Sequence, residues 1–205
     1  MKHLKTTLFL MTILCFFKQA NSQTTVELIP QTKQFVTEII WVKPFNDSSK
    51  FFYYSRNTIA SDFKKNTGLY SLNIISYDTK FIIDPLIALE HKANGLAARA
   101  GIQYFLYRPK LQFYMMLNIL LKNHPDVCFF TNVIYRVKLS TKVNLYTKVE
   151  LITIQNDTGN LYSTERFRLG LEVRRTQFGL ATDILQYDNT YKPYYQYGLF
   201  LAHIF

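Results

Sequence analysis

From Phe51 to the end of the chain, apolar and polar residues alternate with a period of two. In LYSTERFRLGLEVRR, Phe167, Leu169, Leu171 and Val173 fall on one side, and Arg166, Arg168, Glu172 and Arg174 on the other. Successive side chains of an extended strand point to opposite faces, so the stretch is a strand with one apolar and one charged surface. KVNLYTKVELIT sets Val143, Leu145, Val149 and Leu151 against Asn144, Lys148 and Glu150. FFTNVIYRVKL sets Phe129, Val133, Tyr135, Val137 and Leu139 against Asn132, Arg136 and Lys138. The 15 Tyr and 17 Phe, against only 7 Gly, favour strands over helices.

Turn residues divide this pattern into ten strands, near 50–63, 69–77, 81–90, 96–107, 111–122, 127–139, 143–154, 161–174, 177–187 and 194–205. The connectors DTK, RPK, STK and RT are tight. KKNTG, HKANG, NHPD, QNDTGN and DNTYKP are longer, and they alternate with the tight ones. An up-and-down barrel of an outer membrane has short turns at one rim and longer loops at the other. A soluble barrel would turn its charged face to water. Three features favour the inverse. Ten long strands make a barrel that is harder to fill with side chains than eight. The strand lengths match the roughly 9–11 tilted residues that cross a bilayer. Tyr70, Tyr77, Tyr104, Tyr107, Tyr135, Phe178, Tyr195 and Tyr197 sit near strand ends, as interfacial aromatics do.

The N-terminus, MKHLKTTLFLMTILCFFKQANSQ, has the basic start, short apolar core and small-residue site of a secretory signal over residues 1–22. Its apolar core is shorter than the ~20 residues of a membrane-spanning helix. Cleavage would remove Lys2, Lys5 and Lys18 and leave 21 basic and 14 acidic residues, a net charge of +7. Cys128 would be the remaining cysteine, so no intramolecular disulfide is expected. The dispersed Lys and Arg of an exported chain do not read as a nucleic-acid surface. Residues 23–49 form an N-terminal segment, periplasmic or tucked against the barrel, and residues 50–205 form the barrel. Both ends of the chain belong on one rim, so residues 23–49 add no crossing strands, or two; ten strands is the reading and twelve the alternative.

The last strand, KPYYQYGLFLAHIF, places His203, Leu201, Leu199, Tyr197 and Tyr195 at alternate positions before a terminal Phe205. In this it resembles the outer-membrane β-barrel superfamily, over about residues 50–205. YYSRNTIASDF and ERFRLGLEVRRTQFGLATD are similar to stretches of small barrels from Bacteroidetes-type bacteria. His203 departs from the usual aliphatic or Tyr choice. The resemblance implies a bacterial outer membrane, lipid around the wall, and Phe205 as an assembly signal read by the barrel-assembly machinery.

If the charged face lines the lumen, it carries Arg56, Arg99, Lys122, Arg136, Lys138, Lys148, Arg166, Arg168 and Arg174, with Asp62, Asp84, Glu90, Glu150, Glu172 and Asp183. Rings of Lys and Arg select anions, which suggests a narrow pore for small, anionic solutes. Buried charges need partners, so the same residues also suit a closed interior cross-linked by ion pairs, with Glu150 beside Arg166 or Arg168. The closed interior is favoured at this strand number. A barrel-embedded lipid hydrolase or lipid A-modifying enzyme is the alternative class. None of His91, His124 or His203 begins a His-x-Ser, though triads are recognised by geometry and not by spacing. A soluble ligand-carrying barrel is third. Neither a Cys cluster nor a paired-His spacing is present, and no metal or cofactor is expected.

Overall fold

The computed structural model describes residues 23–45, 49–63, 66–93, 95–187 and 192–205; the expected signal segment lies outside them. Twelve strands follow one another: β1 (Gln23–Pro30), β2 (Gln34–Pro44), β3 (Phe51–Asp62), β4 (Thr67–Tyr77), β5 (Asp84–Lys92), β6 (Gly95–Tyr107), β7 (Leu111–Leu120), β8 (Val127–Lys138), β9 (Val143–Asn156), β10 (Gly159–Val173), β11 (Thr176–Tyr187) and β12 (Tyr194–Ile204). Each pairs antiparallel with its sequence neighbours, and β1 pairs with β12 to close the barrel. The closing seam is short, with Thr25–Leu28 opposite Leu201–Ile204.

The count is twelve and not ten. The added pair, β1 and β2, comes from residues that read as a segment outside the wall. Pro30 and Pro44 each close a strand, a position where a missing N–H does not interrupt the ladder. An even count is kept, so β1 starts and β12 ends at the same rim. The expected contrast in loop length is absent: connections of two to six residues occur at both rims. Asp84 makes one difference. Its carboxylate accepts from the Thr79 backbone N–H (3.0 Å) and hydroxyl (3.2 Å), which orders 78–83 as a turn and delays β5. At the other rim Gly95 (φ 111°) and Gly159 (φ 119°) adopt backbone conformations that suit tight hairpins.

The barrel is turned apolar side out. Leu180, Ile87 and Leu199 are 62%, 61% and 58% exposed, whereas Arg168, Arg99 and Glu150 are almost fully buried. A water-facing exterior of this kind would be an aggregation surface; a lipid-facing one is the outer belt of a membrane barrel. Inside, two apolar clusters flank the charges. Ile29, Val36, Tyr146, Ala181, Phe200 and Ala202 form one, and Leu72, Ile74, Leu86, Ala88, Met116 and Phe130 the other. Gly170 faces Gly179 across β10 and β11, where a Cβ on Gly170 would lie 2.0 Å from the Phe178 carbonyl oxygen. That close approach leaves room for the long side chains that fill the lumen on either side.

Candidate functional site

Inward positions of β1, β2, β3, β9, β10 and β11 converge on one layer of charge. Arg56 donates through Nη2 to Glu38 Oε1 and to Glu150 Oε1, each at 2.6 Å. Arg166 Nη1 reaches the same two oxygens at 3.1 and 3.2 Å. Beside them Arg168 Nε donates to Glu27 Oε1 (2.9 Å), and its Nη1 to Asp183 Oδ1 (2.6 Å). Lys148 Nζ donates to Glu27 Oε2 (3.0 Å), and the Gln31 amide to Asp183 Oδ2 (2.7 Å). Four cations therefore meet four carboxylates, and the layer is formally neutral. The pairs reach across the lumen: β3 and β9, joined by Arg56 and Glu150, are separated by five strands in either direction around the barrel.

Two smaller groups accompany it. Arg99 donates to Glu90 (2.9 Å), to Asn118 (2.8 Å) and to Asp126, and Lys92 pairs with Glu90 at 2.9 Å. Arg136 donates to Glu172 (2.8 Å), which also accepts from Asn144 (3.0 Å) and Gln177 (2.8 Å). Each cation has a carboxylate, and Glu90 and Glu172 each have a second donor, as buried charge requires. Between the layer and the Arg99 group lies a cavity of about 30 Å³, lined in part by Tyr54, Tyr70, Tyr114 and Phe130. It has space for about two waters.

Among the residues read from sequence as lumen-facing, Arg56, Lys148, Glu150, Arg166, Arg168 and Asp183 meet in the central layer, and Arg99, Arg136 and Glu172 in the flanking groups. Others lie apart. Asp84 holds the 78–83 turn, and Lys138 ends β8 in an exposed position. Lys122 is exposed between strands, and Arg174 takes a left-handed turn conformation (φ 57°) at the rim. Asp62 accepts from the Asn66 backbone N–H and side-chain amide at 2.8 and 2.9 Å. Two central carboxylates, Glu27 and Glu38, were missed because residues 23–49 were read as lying outside the wall. A signal was present for Glu27, which alternates with Val26 and Leu28, whereas Glu38 shares its face with Val36 and Ile40 and breaks the alternation.

Among the described residues, His91, His124 and His203 do not form a hydrolase constellation of His, Ser and acid. His91 and His124 are exposed, and His203 lies on the outward face of β12 with Nδ1 2.9 Å from Thr176 Oγ1. Its ring meets Phe205 edge-on at 4.7 Å.

A closed antiparallel barrel, apolar outside and charged within, has the architecture of a membrane-spanning β-barrel. Solved structures agree on the fold. The chain is similar to the KdgM porin at 12% identity, with a TM-score of 0.57 over 88% of this chain and 98% of that one. It is similar to the NanC porin at 10% identity, with the same TM-score and coverage. An outer membrane channel from Pseudomonas putida F1 matches at 9% identity, with a TM-score of 0.51 over 91% and 96% of the two chains. No protein-family model and no curated protein matches the chain.

Proposed function

We propose that this protein is a small porin-like barrel of a bacterial outer membrane, passing small solutes through a lumen that side chains hold closed in the conformation described. The neutral layer of ion pairs bridging opposite walls carries the reading. A passage through this barrel must part Arg56 and Arg166 from Glu38 and Glu150. The fold shared with porins and an outer membrane channel favours transport over hydrolysis. One of the KdgM structures holds oligogalacturonate, a polyanion, so a negatively charged solute is the class to try first. Selection of that class by this lumen would be weak, because the cations of its central layer are matched by carboxylates and the described residues form no ring of unopposed Lys or Arg.

Single-channel recording in a planar bilayer tests this. The expected record is brief openings of low conductance with little preference between anions and cations. If neither the wild-type protein nor Glu38→Gln/Glu150→Gln conducts, the channel reading fails and a permanently plugged, structural barrel replaces it.

A further inference from the structure

The lipid-facing wall departs from its apolar belt at the middle of β3 and β4. Ser55 stands opposite Asn73 and Asn57 opposite Ser71. All four alternate with the lumen-facing Tyr54, Arg56, Leu72 and Ile74, so all four point outward. Hydrogen bonds close them into a ring. Ser55 Oγ donates to Asn73 Oδ1 (3.0 Å), and Asn73 Nδ2 donates to Ser71 Oγ (3.1 Å). Ser71 Oγ donates to Asn57 Oδ1 (2.7 Å), and Asn57 Nδ2 donates back to Ser55 Oγ (3.0 Å). The Tyr53 hydroxyl adds a bond to Asn73 Oδ1 at 2.6 Å, with Trp41 edge-on to the Tyr53 ring at 5.2 Å. Around the ring the wall is apolar again, with Ile59, Leu69, Ile75 and Leu89 exposed.

Two amides and two hydroxyls in a hydrocarbon setting need a reason. The ring uses both functions of each hydroxyl. It uses only one of the two N–H groups on each amide, and one lone pair of Asn57 Oδ1. Lipid tails supply no partner for what is left. Within a bilayer, Ser and Asn act as contacts between segments, and small side chains let backbones approach. A partner must bring both a donor and an acceptor to this depth. A second copy of the chain does so by construction, because the same barrel in the same orientation carries the same ring at the same height.

We propose that the β3–β4 face docks on the same face of a second copy, about a twofold axis along the membrane normal. The self-complementary amides make this an isologous contact, in which each Asn57 can donate to the Asn57 carbonyl of its partner. The contact is independent of whether the lumen conducts.

The test uses the full chain purified into lipid nanodiscs and into isolated membranes. The native protein should sediment as a dimer. The variant Tyr53→Phe/Ser55→Ala/Asn57→Leu/Ser71→Ala/Asn73→Leu removes every ring group and the attached Tyr53 hydroxyl at once, so none is left orphaned. It should keep heat-modifiable gel migration, the mark of a folded barrel, while its dimer weakens by roughly tenfold or more. In a Cys128→Ser background, Leu69→Cys beside the ring should form a disulfide-linked dimer under mild oxidation. Leu169→Cys on the far wall should not. A monomeric native protein, equal dimerisation of the variant, or equal cross-linking at both positions overturns the proposal. So does a monomer whose β3–β4 face is found covered by lipopolysaccharide or by a different protein.

Discussion

Arg56 shows what a single residue does in this lumen. It is 4% exposed and its guanidinium is shared between Glu38 on the neighbouring strand and Glu150 on the opposite wall. Removing one partner of a buried ion pair strands the other, at about 3–5 kcal/mol. Arg56→Leu is therefore expected to lower the unfolding free energy by an amount of that order, read as a lower urea midpoint for loss of the fast-migrating folded band. Arg56→Leu/Glu38→Leu restores charge balance and should recover part of the loss. A double variant less stable than the single would show that the arginine acts through packing, for instance against Phe130 at 5.5 Å, and not through charge. Inwardness was legible in the sequence for Arg56, Glu150, Arg166 and Arg168, since alternation assigns a face. Partners were not. Strand parity shows that Arg56 points into the lumen, but only the register and closure of all the strands show that its carboxylate comes from the other side.

At the scale of the element, β1 and β2 are the least legible part of the wall. β1 is short and ends on Pro30, and β2 passes through Ile39, Ile40, Trp41 and Val42, where both faces are apolar and the two-residue period fades. Later strands such as β8 and β9 carry Lys, Arg or Glu on one face only and so announce themselves. The two early strands nevertheless close the sheet: β2 pairs with β3 over eleven residue pairs, and β1 with β12 over four. A chain starting at residue 50 would leave β3 and β12 as bare edges, which hydrocarbon cannot satisfy. It would also lack Glu27 and Glu38, and so leave Lys148, Arg166 and Arg168 short of carboxylates. Refolded beside the chain from Gln23, it is expected to give no heat-modifiable band and no protease-resistant core. A folded ten-strand product would show that β1 and β2 are dispensable to the wall.

For the whole molecule, the decisive property is the balance of charge across the lumen and not the count of basic residues. The chain as a whole is strongly basic, with 24 Lys and Arg against 14 acids. Its surplus sits where the lumen does not use it, as at Lys138, Arg174 and the exposed Lys122. In the central layer four cations face four carboxylates, so the excess of charge that would select an ion is absent. Shifting that balance should create selectivity of predictable sign. Glu38→Gln/Glu150→Gln keeps the shape of both side chains and leaves two cations unopposed in the layer. Openings should lengthen, because Arg56 and Arg166 lose the carboxylates that tether them across the lumen, and the reversal potential in a salt gradient should move toward that of the anion. Arg56→Gln/Arg166→Gln leaves two carboxylates unopposed and should move it toward the cation. The two variants must differ in sign if the path runs through this layer. Reversal potentials that stay together in both would place any conducting path elsewhere in the barrel and leave the ion-pair layer as a structural brace.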